Sequence, residues 1–263
     1  MPRATWFCID IECSGPVPAL YDCLSIGAVA VTGRPPTPGA STYLEIRPGA
    51  PRVDAGAMAV NGLSLERLAR EGLALGEALA RLTAFVEEHT RPGTKPVFVG
   101  HNAPFDWSFV SYAYAAEGLQ NPFGYKALDT KALASGVLGV HWLDSNKETL
   151  EQLLDLPPQD PDQVHRADYD AAYQARILAA LLVRMPEAAP TEPARHPTSR
   201  GADHGVEEDP PRHSYGNSAT HADSSRTGLG PSQYRVPRRQ SNHDARSHSA
   251  YGGYPKSSQV GCV

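Results

Sequence analysis

Three short stretches carry the residues able to do chemistry. Asp10 and Glu12 stand two apart in Phe7-Cys8-Ile9-Asp10-Ile11-Glu12-Cys13, an otherwise apolar run. A strand has a side-chain period of two, so both carboxylates leave the same face. Like charges side by side among apolar groups are costly unless a cation balances them, and hard divalent ions such as Mg²⁺ prefer oxygen ligands. A strand end reaching solvent, with two exposed acids, is the competing reading. The second stretch, His101-Asn102-Ala103-Pro104-Phe105-Asp106, directly follows the apolar run at 97–99. It therefore falls at the carboxyl end of a strand, where open α/β sheets build their sites. Its alternative is an ordinary helix start, with Asn102 as cap, Pro104 in a first turn that needs no amide donor, and Asp106 at the positive end of the helix dipole. The third stretch is His165-Arg166-Ala167-Asp168-Tyr169-Asp170. Residues five apart on a helix differ in direction by about 140°, so His165 must precede the helix if it shares a site with Asp170. Imidazole titrates near neutral pH and suits the task of taking a proton from water. Taken alone, this stretch reads as a surface histidine beside Asp160, Asp162 and Asp168.

The elements that must position these groups follow from periodicity and punctuation. Strands are expected over 5–13, 25–32 and 41–47, with Gly and Pro clustered at 33–39 between the last two. Leu79, Leu82, Phe85 and Val86 recur at helical spacing before Arg91-Pro92-Gly93, and 96–100 reads as a short buried strand. A helix over 104–117, a short strand at 127–128, a helical stretch at 148–154 and a last helix presenting Ala171, Ala175, Leu178 and Leu182 on one face complete the order βββαβαβα. That order implies an α/β sheet that opens with an antiparallel meander and carries helices on its faces.

The 263 residues carry a net charge of −5, enough chain for one good-sized core or two small ones. No apolar run is long enough for a membrane helix, and Met1-Pro2-Arg3 leads into the first strand without a signal-type segment. The expectation is a soluble, cytoplasmic protein. Cys8, Cys13, Cys23 and Cys262 form no CxxC pair and support neither a disulfide framework nor structural zinc. Composition changes sharply at Pro186. From 186 to 263 there is no Ile, Phe, Trp or Met and one leucine, Leu229. The expected boundary is thus a folded domain over 1–185 and a disordered Pro/Gly/Ser/His/Arg-containing tail over 186–263. Residues 1–185 hold 15 Lys and Arg against 21 Asp and Glu, and the tail holds 9 against 8. The end of the tail, with Arg235, Arg238, Arg239 and Tyr234, Tyr251 and Tyr254, is mildly cationic and could touch RNA or an anionic partner. A solvated extension is the plainer reading.

The order Asp-x-Glu, then His-Asn-x-x-x-Asp, then His-x-x-x-x-Asp resembles the DEDD 3′–5′ exonucleases of the ribonuclease H-like superfamily, over residues 5–184. That group includes the proofreading subunit of bacterial DNA polymerase III, ribonuclease T and oligoribonuclease. By position, Asp10 and Glu12 match the first motif, Asp106 the second and Asp170 the third. His165 satisfies the DEDDh form, whereas the tyrosine form would need Tyr where Arg166 stands. The resemblance implies a ribonuclease H-like mixed five-stranded sheet with helices on both faces. It also implies two divalent ions, Mg²⁺ or Mn²⁺, with Asp10 between them, Glu12 and Asp170 completing one, Asp106 holding the other, and His165 as general base. The substrate would be the 3′ end of single-stranded DNA or RNA, and the products nucleoside 5′-monophosphates.

Leu128-Asp129-Thr130 and Val60-Asn61-Gly62-Leu63 look like further family segments. Ser14, Gly15, Asn61, Asn102 and Phe105 are the substrate-bordering residues the resemblance suggests. Cys13 stands where many relatives have Thr. The acidic balance of the domain argues against extensive gripping of a duplex. Four site acids account for much of it, and two divalent ions would reverse the local field. Trp107, Phe105 and Phe123 are possible stacking groups, although aromatics on a helix beside a sheet are more often core. A non-catalytic binding module on the same fold and a phosphodiesterase of very short oligonucleotides are the alternatives. The sequence leaves open DNA against RNA, a homodimer against a monomer, and any partner of the tail.

Overall fold

The computed structural model describes residues 3–49 and 52–185. The 186–263 tail, with Cys262 and the basic and tyrosine residues named above, lies outside the described residues. Five strands form one mixed sheet in the order β3-β2-β1-β4-β5. β1 (Ala4–Cys13) pairs antiparallel with β2 (Cys23–Thr32), and β2 with β3 (Thr37–Glu45). β4 (Lys95–Gly100) and β5 (Ala127–Asp129) then add in parallel. This is the mixed five-stranded sheet with a leading meander.

β1 reads as a nearly unbroken apolar run because it is central and covered on both sides. Phe7, Ile9 and Ile11 face a core with Leu79, Leu82, Phe98 and Phe109, whereas Cys8 faces Val29, Val99, Ala171 and Ala175. The first core is covered by α3 (Leu75–His89) and α4 (Pro104–Ala116), and the second by α7 (Ala167–Arg184). A third cluster packs α5 (Thr130–Leu138) and α6 (Lys147–Leu154) on α7 through Ala134, Leu150, Leu154, Tyr173 and Ile177. Phe123 and Trp107 belong to the first core, each edge-on to Phe98 at 5.5 and 5.1 Å between ring centres.

The structure corrects some boundaries. β3 starts at Thr37, not 41, and ends at Glu45. Pro38 and Gly39 fall inside it because it is an edge strand, where a missing donor is tolerated. α1 (Ala55–Asn61), α2 (Leu65–Glu71) and α5 were not expected. α1 and α2 have seven residues each, and their buried residues are only Ala57, Asn61 and Leu68, too few to show a period. What starts them is capping: Asp54 accepts from the Ala57 amide at 2.9 Å and Ser64 from the Arg67 amide at 3.2 Å.

Candidate active site

Asp10 and Glu12 leave β1 on its α7 face, as the strand period requires. Asp10 lies opposite Gly27 of β2. A Cβ on Gly27 would fall 2.0 Å from the Ala167 carbonyl oxygen, so the absence of a side chain there lets the start of α7 settle directly onto the sheet. Asp170, in the first turn of α7, is thereby brought to Asp10 and Glu12. Carboxylate oxygens of all three lie within 4.8 Å of one another. One turn further along α7, Gln174 donates from Nε2 to Asp10 Oδ1 at 2.6 Å.

Asp106 arrives from the other side. β1 and β4 pair only as far as Cys8 and Val99, and past that point the β1 edge has lost its ladder partner. The Asp106 carboxylate takes over, accepting from the Ile11 amide at 3.1 Å. Pro104 and Asp106 occupy the first turn of α4 as the sequence suggests, but the capping residue is Ala103, not Asn102. Asn102 instead turns the chain in a left-handed conformation (φ 63°). Asp129 holds that turn. Its Oδ1 accepts from the amides of Asn102 at 3.0 Å, Ala103 at 3.4 Å and Lys131 at 3.0 Å, so one carboxylate fixes the second motif and caps α5.

His165 precedes α7 in a left-handed turn (φ 65°). Its backbone amide donates to Asp170 Oδ2 at 2.7 Å, which puts the ring on the wall of the same cavity. That cavity, about 470 Å³, is lined by Asp10, Glu12, Asp106, Asp170 and His165 together with Phe105, Val60 and Lys147. The five sequence-predicted catalytic and metal-binding residues are therefore brought together. A larger cavity of about 530 Å³, among Thr83, Val86, Pro92 and Pro96, has none of these acids on its walls; converging carboxylates, not volume, mark the site.

Of the residues suggested for substrate, Phe105 lines the cavity. Ser14 is buried, with its hydroxyl accepting from the Asp22 amide at 2.8 Å. Gly15 lies under Tyr21, whose ring would sit 2.2 Å from an added Cβ. Asn61 donates from Nδ2 to the Cys13 carbonyl at 3.0 Å and accepts from the Leu63 amide. The side chains of Ser14 and Asn61 thus brace the segment that follows Glu12.

Lys147, at the first position of α6, was not anticipated. Its ammonium pairs with Asp170 Oδ1 deep in the cavity. No sequence signal marked it; Gln174 at least stands four after Asp170, the spacing of one helix face. Burial, together with the negative charges of Asp106, Asp170 and Glu12, pushes the Asp10 carboxyl well above the usual carboxylate range, against the pull of Lys147. Burial alone would lower the Lys147 pKa, but Asp10 and Asp170 outweigh it and hold it above the ordinary value. So crowded a set of oxygens, with an ammonium already drawn in among them, fits a cation-binding site.

His101, directly after β4, is 1% exposed. Thr130 Oγ1 donates to the Gly100 carbonyl at 3.2 Å, which leaves it to accept from His101 Nδ1 at 2.9 Å. The proton is therefore on Nδ1, and buried Nε2 has no hydrogen-bond partner. Burial, and then the charges of Lys147 and Lys131, press the imidazole pKa down to about 3.

No family model matches the chain. It is 36% identical over 170 residues to an Escherichia coli protein named 3′-5′ DNA exonuclease Cap18, covering 65% of this chain and 87% of that protein. It is 27% identical over 189 residues to ribonuclease T of Hahella chejuensis (strain KCTC 2396), covering 68% and 84%. Among solved structures it superposes on the nuclease domain of 3′hExo, a DEDDh family member bound to rAMP, with a TM-score of 0.57 and 13% identity, over 68% of this chain and 92% of that one.

Proposed function

We propose, on the premise that this chain belongs to the DEDDh 3′–5′ exonucleases, that it removes nucleotides one at a time from single-stranded DNA 3′ ends. DNA is put first because the 36%-identical relative is named a DNA exonuclease, with RNA the second reading from the ribonuclease T relative. The observation that carries the proposal is the meeting of Asp10, Glu12 and Asp170 oxygens within 4.8 Å, on a cavity shared with Asp106 and His165. Asp10, Glu12 and Asp170 would hold one divalent ion, Mg²⁺ or Mn²⁺, and Asp10 with Asp106 a second. Bound there, such ions polarise the attacking water and neutralise charge on the leaving oxygen.

The protein's own groups do the rest. His165, held by the hydrogen bond its backbone N–H donates to Asp170, takes the proton of the attacking water on a ring nitrogen. Water oxygen bonds to phosphorus and the bond to the 3′ oxygen breaks, releasing a nucleoside 5′-monophosphate and leaving a shortened strand with a free 3′ hydroxyl. Phe105 offers an apolar wall for the terminal nucleotide. Gln174 fixes the orientation of the Asp10 carboxylate. This chemistry belongs to residues 1–185, without a part for 186–263. We place the protein in the cytoplasm, consistent with cysteines that form no disulfide at Cys8 and Cys23. Among the described residues, no helix is long and apolar enough to cross a membrane.

The test is incubation of 5′-labelled single-stranded DNA and RNA with full-length protein, with Mg²⁺ or chelator, beside Asp10→Ala and His165→Ala. Stepwise shortening that needs the ion, vanishes in the first variant and slows severely in the second is expected. Equal shortening by all three proteins would end the proposal.

A further inference from the structure

The cavity is short of positive charge for a site meant to receive a phosphodiester. Among the described residues that line it, Lys147 is the only Lys or Arg, facing Asp10, Glu12, Asp106, Asp170 and the neighbouring Glu148. It is not a surface lysine that happens to lean inward. Its side chain is 17% exposed, Asp170 is 3% exposed at the side chain, and the two are in direct contact. The anchor is firm, because Lys147 opens α6 immediately after Asn146, whose side chain caps the helix by accepting from the Thr149 amide at 2.8 Å. Leu150 and Leu154 on the same helix are buried against α7. A flexible four-carbon stem rooted on so fixed a base can move its ammonium within the cavity without moving the fold.

Resting on the exonuclease reading above, we propose that Lys147 is a phosphate-contacting residue that also acts as resident counter-ion: its ammonium balances the acids when no divalent ion is bound and transfers to the terminal phosphate once the acids are occupied. Charge arithmetic gives the reason. Two divalent ions balance Asp10, Glu12, Asp106 and Asp170 and release the ammonium from them, so that among the charges lining the cavity only Glu148 competes with an incoming phosphodiester for it. With Asp170 Oδ2 already accepting from the His165 amide, an incoming ion competes with the ammonium for Asp170 Oδ1, so on this proposal the same side chain opposes metal binding and favours phosphate binding. A merely structural lysine would support both or neither.

The opposite signs make the test. Mn²⁺ alone is titrated calorimetrically into full-length wild type, Lys147→Met, Lys147→Arg and Asp10→Ala, and thymidine 5′-monophosphate is then titrated into each protein at saturating Mn²⁺. Methionine keeps the apolar stem and removes the charge. Lys147→Met is expected to bind Mn²⁺ at least fivefold more tightly than wild type, and the nucleotide about tenfold more weakly. Lys147→Arg, which keeps the charge, should stay within about threefold of wild type in both. Weaker or unchanged Mn²⁺ binding by Lys147→Met, or unchanged nucleotide binding, overturns the proposal. Should Lys147→Met not fold, as judged by circular dichroism, Lys147→Gln carries the same two expectations. Asp10→Ala separates the two levels: if it binds Mn²⁺ like wild type, the metal-site reading itself fails; if it loses Mn²⁺ while Lys147→Met behaves like wild type, only the role of Lys147 fails.

Discussion

Replacing His101 by Asn should flatten the acid side of the stability profile. Asn keeps a donor where Nδ1 meets Thr130 and removes the titrating ring. In the unfolded chain the histidine has a pKa of about 6.5, and in the folded protein it is pushed down to about 3. The unfolded state therefore takes up a proton that the native state refuses. The contribution is fully present above pH 6.5 and is lost progressively as pH falls toward the folded value. At about 1.4 kcal/mol per pH unit, wild type should lose roughly 2 kcal/mol between pH 8 and pH 5 through this residue alone. Asp10, whose pKa is raised, acts in the opposite direction, but it is present in both proteins and cancels in the difference. The assay is urea denaturation in chelator at several pH values from 8 to 5, followed by tryptophan fluorescence. His101→Asn should start less stable at pH 8, through lost packing, and converge on wild type as pH falls. Parallel curves would refute the claim that His101 is a buried, neutral imidazole.

Gly27→Ala should destabilise by about 3 kcal/mol, the upper end for overpacking, because the obstacle is the Ala167 backbone rather than a side chain that can swing away; denaturation shows it, and survival of wild-type stability would contradict the contact. Asp106→Asn retains an oxygen for the Ile11 amide, so a melting temperature within a few degrees of wild type is expected with nuclease activity down at least about 100-fold. Asp129→Ala strands three amides at once and should lose about 2 kcal/mol of stability together with activity; equal stability would show that water replaces the carboxylate at no cost. A chain truncated after Met185 should hydrolyse short oligomers at the wild-type rate, and loss of turnover in folded truncated protein would assign the tail a role in the chemistry.

Much of the site was legible because its chemistry is local in sequence. Asp10 and Glu12 declare a shared face by their spacing, Pro104 and Asp106 mark a helix start, and the angle between positions five apart on a helix forces His165 into the turn before α7. The meander and the long helices α3, α4 and α7 were legible for the same reason, each carrying its own apolar period. The short helices α1 and α2 were not, because capping rather than periodicity specifies them.

What the chain alone determined is the inventory: which acids, in which order, on which kinds of element. Only tertiary structure decided how they are held. Gly27 matters because of a carbonyl 140 residues further along, Asp129 because three amides from two elements converge on it, and Asp106 because β4 departs early and leaves the Ile11 amide to be satisfied. Lys147 and Gln174 likewise acquire their roles by packing against groups distant in sequence. Spacing fixes directions within one element, whereas contact between elements depends on sheet order, register and the closeness that small residues permit, and these are settled only when the whole core closes.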